Sequence, residues 1–347
     1  MSRIYLDYNA TTPLRPEARA AMIAAMDVAG NPSSVHAEGR AAKAVIERAR
    51  AQVAQAFGAD GADILFTSGA TESAALATAG RDLACAEVEH EAVLACCEAL
   101  LPVDTQGQVA VRAPAESALQ LANSETGVMQ DMPQGLALCD ATQAFGKVPV
   151  AFNWLGCDMA MLSAHKLGGP KGVGALVLRR GLDVVPQLRG GGQEMGRRAG
   201  TENLIGIAGF GAAAEAAQRD LADGVWERVA ELRNILDHAL SAHGFETISV
   251  GNGVQRLPNT LCIIAPGWKG ETQVMAMDLA GFAVSAGSAC SSGKVRSSRV
   301  LRAMGFEAGL AGQAIRVSIG PETQENDVLR FADAWGRAYV KILGRAA

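Results

Sequence analysis

Apolar residues recur along the chain with two different periods, which predict alternating helices and strands. Residues 15–29 and 36–57 carry apolar side chains at helical spacing, and residues 63–67, DILFT, form a short apolar run. Small residues and a helical pattern follow this run directly. Further strand-like runs follow at 119–123, 136–141, 158–163 and 174–180. This alternation is typical of an α/β domain with a mostly parallel or mixed sheet.

The pattern changes near residue 200. Two long helical patterns cover residues 201–221 and 225–244. After Pro258, short apolar runs surround one more helical pattern at 271–281. This last part of the chain is typical of a smaller α+β domain.

Length and charge narrow the class of protein. A chain of 347 residues is long enough for about two domains. With 31 basic and 36 acidic residues the net charge is −5, so we expect neither a nucleic acid nor an anionic membrane as a partner. The chain has no apolar run of membrane-spanning length, and its first residues lack the apolar stretch of a signal peptide. We therefore expect a soluble cytoplasmic protein.

The cysteines favour neither disulfides nor a metal site. Seven are present, at positions 85, 96, 97, 139, 157, 262 and 290. The number is odd and no CxxC pair occurs, so we expect no disulfide framework and no structural zinc. Most of them fit core packing, and we place Cys96 and Cys97 on a predicted helix at 91–101. Cys290 differs, because SAGSACSSGKV has no apolar periodicity, and such a thiol is more often present for its reactivity.

Two polar features follow predicted strands of the α/β region. The turn SGATES, residues 68–73, begins a predicted helix, where backbone N–H groups and the helix dipole favour a phosphate. An ordinary helix cap explains the same residues equally well. Asp140 ends the strand-like run 136–141, at the edge where α/β proteins bind ligands, or else it caps a short helix.

A lysine stands at a third strand end. Ser163, His165 and Lys166 leave the run 158–163 and enter a loop rich in glycine and proline. An amine placed between an apolar strand and such a loop is partly desolvated and suited to bind a carbonyl compound covalently. Lys171, flanked by proline and glycine, is the weaker alternative. A phosphate cradle, a carboxylate and a lysine together are the set that pyridoxal phosphate requires.

The chain resembles cysteine desulfurases of the NifS/IscS type, which are fold-type I pyridoxal phosphate enzymes of the class-V aminotransferase family. The resemblance covers nearly the whole chain. It rests on ten motifs in family order: YLDYNATTP, GNPSSVH, FTSGATES, EHEAVL, NSETGV, DATQAFGKVPV, SAHKLGGPKGVGAL, GGGQEMGRRAGTEN, GSACSSG and AIRVSIG.

The resemblance implies a fold and an activity. The expected fold is α/β, with a large domain at 14–250 that holds a mostly parallel seven-stranded sheet between helices. Residues 1–13 and 251–347 would form the smaller α+β domain with the cysteine loop. The expected enzyme uses pyridoxal 5'-phosphate to take sulfur from L-cysteine, giving L-alanine and a persulfide on Cys290. The persulfide would pass to an acceptor or scaffold protein, for iron–sulfur cluster assembly or other sulfur trafficking.

The resemblance also implies roles for individual residues. Lys166 would bind the cofactor covalently, and His90 would stack on its ring and move protons. Asp140 would pair with the ring nitrogen and Gln143 with the ring oxygen. The expected phosphate ligands are Ala70, Thr71, Ser163 and His165, with Thr201 reaching the site of the neighbouring subunit in a homodimer. The substrate carboxylate would pair with Arg316, and the nucleophile would be Cys290. Apart from the resemblance, the nearby Lys294, Arg296 and Arg299 would favour its thiolate, or else they are solvated surface charges.

Two features depart from the family pattern. Ser124 stands where the family's NNETG motif has its second asparagine, which puts a contact to the cofactor or to the substrate carboxylate in doubt. The segments at 80–90 and 128–139 are short. A parallel crossover normally needs a dozen or more residues, so we expect that a surface helix is missing and that the sheet is partly bare there.

Other functions stay open at this point. A selenocysteine lyase would act on a substrate of the same shape. A catalytically weak protein that binds iron–sulfur assembly factors would share the motifs. A plain aminotransferase is disfavoured, because it has no use for the thiol of Cys290.

Overall fold

The computed structural model describes residues 3–242, 246–287 and 297–346. Its strands are short, and the longest has seven residues. They are β1 (Ile4–Tyr5), β2 (Asp63–Thr67), β3 (Ala84–Ala86), β4 (Glu98–Leu101), β5 (Ala118–Gln120), β6 (Leu136–Asp140), β7 (Cys157–Ser163), β8 (Gly174–Leu178), β9 (Ile248–Ser249), β10 (Thr260–Ile264), β11 (Phe282–Ala283), β12 (Ser285–Ala286) and β13 (Ala314–Ser318).

The helices include five long ones and several single turns. They are α1 (Pro16–Met26), α2 (Ala37–Ala56), α3 (Ala70–Thr78), α4 (Glu91–Leu94), α5 (Phe152–Leu155), α6 (Leu204–Ala222), α7 (Val225–Ser241), α8 (Gly270–Leu279), α9 (Arg299–Ala303), α10 (Ala308–Ala311) and α11 (Glu325–Ala346). In the part of the chain that the structure describes, none of them is both long and apolar enough to cross a membrane.

The larger sheet has the strand order β2-β8-β7-β6-β5. Strands β5, β6 and β7 are parallel, and β8 is antiparallel to both of its neighbours. The parallel pair β3–β4 joins this sheet through one bridge between Ala84 and Ser117. Seven strands are thus present, and only β8 runs against the others, which confirms the mostly parallel sheet expected from the sequence.

Helices cover both faces of this sheet. Strand alternation in β2 turns Ile64 and Phe66 to one face, where they pack in a core that includes residues of α1, α2 and α6. Leu65 turns to the other face and packs in a core that includes residues of α3 and α4. The site at the strand ends therefore rests on elements fixed from two sides.

A second core is built on the antiparallel sheet β12-β13-β10-β9. Residues of α7, α8 and α11 pack in this core, and the rings of Trp268 and Tyr339 stack there at 5.7 Å. Helix α7 thus belongs to this second core, although the predicted division at residue 250 puts it in the large domain. The domain bounds themselves stay a prediction.

Of the two shortened segments, the one at 128–139 lacks a helix, as expected. Residues 121–135, between the parallel strands β5 and β6, contain no helix. The sheet is not bare there, however. Met129 and Met132 of this loop pack against the core with Val109 and Val111, and the Met132 sulfur lies 3.8 Å from that of Cys139 on β6.

The helix expected at 91–101 is wrong in its second half. Helix α4 ends at Leu94, and strand β4 begins at Glu98. Cys96 and Cys97 lie between them, Cys96 exposed and Cys97 half-buried. The parallel pairing of β4 with β3 decides the structure there, although the local sequence is compatible with a helix. Cys139, Cys157 and Cys262 are buried in strands, as expected.

Candidate active site

A cavity of about 600 Å³ lies at the carboxyl ends of β5, β6 and β7. The N-terminal segment closes it on one side, and Arg316 of β13 reaches it from the second sheet. The residues that line it include nearly all of those singled out in the sequence: Ala70, Thr71, His90, Ser124, Asp140, Gln143, Ser163, His165, Lys166 and Arg316. Asn9, Ala10, Thr11, Gln120, Thr142 and Lys171 also line it.

One end of the cavity is built to take an anion. Helix α3 begins after Gly69, and no side chain caps its first turn. The backbone N–H groups of Ala70 and Thr71 are therefore left without helical acceptors, at the positive end of the helix dipole. Glu72 in the same turn pairs with Arg198 at 2.9 Å, so its negative charge is balanced.

A glycine on the neighbouring strand makes room for this turn. Gly174 of β8 pairs with Thr67 on one side and Ser163 on the other. A Cβ atom at this position would lie 2.7 Å from the Cα of Gly69. Only glycine therefore lets the turn before α3 approach the end of β7, where Ser163 and His165 stand.

His165 completes the anion-binding end. Its Nδ1 lies 3.2 Å from the Oγ1 of Thr11. Burial lowers the pKa of His165 to about 4, and the charges of Lys166, Lys171 and Lys147 add to the effect. The ring is therefore neutral at neutral pH while the cavity holds no anion.

The carboxylate of Asp140 stands at the end of β6 and is buried. Its Oδ1 accepts a hydrogen bond from the backbone N–H of Thr142 at 2.9 Å. The Oγ1 of Thr142 is also buried and has no hydrogen-bond partner within the described residues. Buried hydroxyl groups are normally satisfied, so this orphan on the cavity wall indicates that a polar ligand belongs there.

Lys166 is the better placed of the two candidate lysines. It ends the 3₁₀ turn Ala164–Lys166 directly after β7, and its side chain is half-buried. Its Nζ donates hydrogen bonds to the backbone carbonyls of Asn9 at 2.6 Å and Ala10 at 3.0 Å. Lys171 also lines the cavity but is exposed.

His90 lies on the cavity wall at the start of α4. Its Nδ1 accepts a hydrogen bond from the backbone N–H of Ala92 at 3.1 Å. A neutral imidazole whose Nδ1 accepts must carry its proton on Nε2. The hydrogen-bond pattern thus fixes the tautomer that His90 brings to the cavity.

Arg316 presents its guanidinium at the opposite end of the cavity. It is 4% exposed, and it pairs with Asp7 at 2.6 Å and with the backbone carbonyl of Ser124 at 3.0 Å. The Oγ of Ser285, on the neighbouring strand β12, donates to the other oxygen of Asp7. The buried Nε of Arg316 has no partner within the described chain. A fixed guanidinium with a free donor is suited to a carboxylate ligand.

Among the described residues singled out in the sequence, Thr201 and Arg299 do not line this cavity. Thr201 is exposed. Cys290, with Lys294 and Arg296, lies outside the described residues. Arg299 is described and bonds to Glu91 at 2.7 Å and to the carbonyls of Glu87 and Glu89.

Sequence reasoning missed two buried residues, Asn9 on the cavity wall and Lys147 behind it. Asn9 contacts both sheets, through Ser318 and Thr260 on one side and Lys166 on the other. Lys147, 1% exposed, bonds to Asn9 and Gln143. Both residues stand inside the recognised motifs YLDYNATTP and DATQAFGKVPV. The hydrogen-bond partners of Asn9 are more than 100 residues away in the sequence, and the nearby partner of Lys147, Gln143, gives no local signal of the contact.

The donor set fits pyridoxal phosphate. An uncapped helix N-terminus with Ser163 and His165 suits the phosphate, Asp140 suits the ring nitrogen, and Lys166 provides the amine. The unpartnered Thr142 hydroxyl lies in the same cavity. The size of the cavity is within the range usual for cofactor sites.

Comparisons with known proteins agree with this set of site residues. The family model "Aminotransferase class-V" matches residues 4–331. A cysteine desulfurase of Cereibacter sphaeroides is 40% identical over 96% of this chain and 95% of its own length. The structure of a NifS-like protein from Rickettsia africae ESF-5 superposes with a TM-score of 0.88 at 31% identity, over 97% of this chain and 99% of that one. A structure described as SspA in complex with cysteine gives a TM-score of 0.74 at 26% identity, over 92% and 100% of the two chains.

Proposed function

The chain belongs to the aminotransferase class-V family, and we propose that it removes sulfur from L-cysteine, with pyridoxal phosphate as cofactor and L-alanine as product. The observation that carries the proposal is the cavity at the strand ends. It brings together an amine, a carboxylate, an uncapped helix N-terminus and a buried arginine with a free donor. A cysteine complex is described for the similar SspA, which agrees with L-cysteine as the substrate.

The residues at one end of the cavity would hold the cofactor. When bound, pyridoxal phosphate supplies an electron sink for the substrate carbon. Lys166 would hold it covalently, Asp140 would pair with its ring nitrogen and Gln143 with its ring oxygen. Its phosphate would lie against the residues that line the end of the cavity near α3: Ala70, Thr71, Ser163 and His165.

The other residues would act on the substrate. Arg316 would bind its carboxylate, with Ser124 beside it. His90 would stack on the cofactor ring and carry a proton on Nε2, as its hydrogen bond from Ala92 requires. The thiolate of Cys290 would take the substrate sulfur, giving a persulfide on the enzyme and L-alanine.

The destination of the sulfur is a further part of the proposal. A protein acceptor or scaffold would receive it, for iron–sulfur cluster assembly or other sulfur trafficking. The protein would act as a homodimer in which Thr201 reaches the neighbouring site. Its exposure is compatible with such a contact. The cytoplasmic location expected from the sequence stays a prediction.

The test is to incubate the purified chain with pyridoxal phosphate, L-cysteine and a thiol reductant, and to measure sulfide and alanine. We expect equal amounts of both products. Cys290→Ser should keep the cofactor absorbance and lose sulfide release, whereas Cys96→Ser, at an exposed cysteine, should match the parent. A cofactor-loaded parent that forms pyruvate, or no alanine, would refute the proposed activity. Turnover of L-selenocysteine without turnover of L-cysteine would identify a selenocysteine lyase instead.

A further inference from the structure

A buried lysine lies directly behind the candidate active site. Lys147 is 1% exposed and stands in the loop that follows β6. Its Nζ donates to the Oε1 of Gln143 at 2.8 Å and to the Oδ1 of Asn9 at 3.0 Å. Gln143 and Asn9 line the cavity, whereas Lys147 is not among the lining residues. It therefore touches the site only through these two side chains.

The three residues form a closed set of hydrogen bonds. The Nε2 of Gln143 donates to the backbone carbonyl of Asn9 at 3.0 Å, and the Nζ of Lys166 donates to the same carbonyl at 2.6 Å. The Asn9 side chain also accepts from Asn259 and donates to Thr260. Asn9 is thus anchored to the second sheet while its carbonyl faces the reactive lysine.

The chemistry of Lys147 decides how the Gln143 amide is turned. The Nζ of Lys147 donates to the Gln143 oxygen, and the Gln143 nitrogen donates to the Asn9 carbonyl, so the amide oxygen faces Lys147 and the nitrogen faces away from it. One hydrogen of that nitrogen goes to Asn9. The second is left for a ligand in the cavity that Gln143 lines. If the amide were reversed, it would present an oxygen to the cavity and leave the amine opposite another donor.

Burial favours the uncharged form of this amine. The pKa of Lys147 lies well below its usual value, because burial penalises the charge and Lys166 and Arg316 oppose it. With or without its charge, the amine has at least two hydrogens, enough for the two oxygens that it contacts. Lys147 is thus suited to donate two hydrogen bonds, and each of them orients a side chain at the site.

We propose that Lys147 is a positioning residue, which turns the Gln143 amide so that its N–H faces the ring oxygen of the bound cofactor. This role rests on the proposed function, because it needs pyridoxal phosphate in the cavity. Lys147 does not contact the cofactor itself. Without it, only the hydrogen bond to the Asn9 carbonyl would keep the Gln143 nitrogen turned toward the ring oxygen.

The experiment compares the loaded parent with Lys147→Met, Gln143→Met and the double variant. The readouts are the pH midpoint of the cofactor absorbance, the Kd for pyridoxal phosphate and the Tm of the apoprotein. A ring oxygen that lost its donor would hold the proton on the neighbouring nitrogen, the Nζ through which Lys166 would bind the cofactor, more tightly, so the midpoint should rise. One hydrogen bond to a charged group corresponds to about one pH unit.

Coupling between the variants identifies the path of the effect. Lys147→Met and Gln143→Met should each raise the midpoint by a similar amount, and the double variant should raise it no further than one of them. Lys341→Met, at an exposed lysine on α11, should leave it unchanged. A purely structural Lys147 would lower the Tm and leave the midpoint in place.

Three results would overturn the proposal. The first is a folded Lys147→Met protein with the midpoint of the parent. The second is a Gln143→Met protein with that midpoint, which decides the question even if Lys147→Met does not fold. The third is an additive shift in the double variant. A parent chain that binds no pyridoxal phosphate would instead refute the proposed function, and this proposal with it.

Discussion

Among single residues, His165 shows how burial sets the charge at the candidate site. The residue is half-buried at the end of β7, near three lysines that oppose a positive ring. Its pKa falls from 6.5 to about 4. The folded apoprotein therefore binds this proton less tightly than the unfolded chain does.

This difference predicts a dependence of stability on pH. The contribution of His165 is fully present above pH 6.5, and it is lost as the pH falls from 6.5 toward 4. In His165→Gln, the free energy of unfolding should fall by about 1 kcal/mol less than in the parent over this pH range. The value allows for solvent screening at a half-buried group. Urea unfolding of the apoprotein at a series of pH values measures it.

The comparison for His165 is the variant at an exposed histidine. His238→Gln should change with pH as the parent does, since the His238 side chain is exposed on α7. Parallel curves for the parent and His165→Gln would contradict the low pKa. A parent curve that falls more steeply than the His165→Gln curve between pH 6.5 and pH 4 would support it.

Ser124 is the residue at which the chain departs most clearly from the family motif. Its backbone carbonyl accepts from Arg316 and from the side chain of Asn9, and the residue lines the cavity. Ser124→Asn would add an amide that reaches further than the hydroxyl. An added hydrogen bond to a charged group is worth about 1.5–3 kcal/mol, and the lower end of this range corresponds to a KM for L-cysteine about tenfold lower, which is the largest effect that we expect.

Steady-state kinetics at one pH and with excess cofactor measure this effect. A KM that is unchanged or higher, with full cofactor occupancy, would show that another group already makes the missing contact. A bridging water is enough for that.

The sequence predicted the residues that stand at strand ends and missed those that act across long separations. Asp140 and Lys166 follow apolar runs, so their place at the edge of the sheet is visible in the local pattern. Asn9 and Lys147 form a hydrogen bond although they are 138 positions apart in the sequence, and no local pattern indicates that pairing. The roles given to Thr201 and Cys290 come from the family resemblance alone, and they stay predictions.

Among the elements, the irregular segment at 193–196 is held by one buried carboxylate. Glu194 has a φ of 48°, and its side chain is 1% exposed. It accepts hydrogen bonds from Arg50 of α2 at 2.9 and 3.0 Å and from the backbone N–H of Phe66 on β2 at 3.0 Å. This single side chain therefore ties a loop, a helix and a strand together.

Glu194→Ala should lower the free energy of unfolding by about 3 kcal/mol, because it leaves the buried side of Arg50 and the Phe66 N–H unpaired. Glu47→Ala is the matched comparison, since Glu47 also pairs with Arg50 but is 52% exposed. It should cost less than about 0.5 kcal/mol. Urea unfolding of both variants tests this, and equal losses would contradict the importance of the buried pair.

Helices and strands with strong periodicity were predictable, but their crossovers were not. The long helices α2, α6 and α7 follow the apolar pattern of the sequence. The segment 91–101 reads as one helix, yet pairing with β3 converts its second half into β4. Packing of Met129 and Met132 over the core likewise depends on tertiary contacts that the period of the sequence does not contain.

In the whole molecule, the N-terminal segment joins the two sheets at the cavity. Asp7 and Asn9 contact β13 through Arg316 and Ser318, and Thr12 bonds to the backbone of Lys166. Because groups next to both sheets line the cavity, a ligand bound there would stabilise the folded chain as a whole. In the proposed homodimer, a ligand at the cavity would contact two chains, so its binding would also be coupled to their association.

Mixing of variants tests whether Thr201 acts on the neighbouring subunit. Lys166→Ala chains lack the amine that is proposed to bind the cofactor. Thr201→Ala chains should bind pyridoxal phosphate about tenfold more weakly, because they lose one hydrogen bond to a charged group. In a mixed dimer, the site with Lys166 would receive Thr201 from the partner chain. That site would then be complete, so we expect half of the sites to regain the affinity of the parent.

A matched mixture separates this arrangement from a role within one chain. Thr71 lines the cavity of its own chain, so Thr71→Ala mixed with Lys166→Ala should restore nothing. Titration of the two mixtures with pyridoxal phosphate, after exchange of subunits and beside a sedimentation measurement of the oligomer, gives the comparison. If Thr201→Ala also stays weak in the mixture, Thr201 does not act across the interface. A monomer in sedimentation would remove the shared site altogether, because a single chain leaves Thr201 exposed and away from its own cavity.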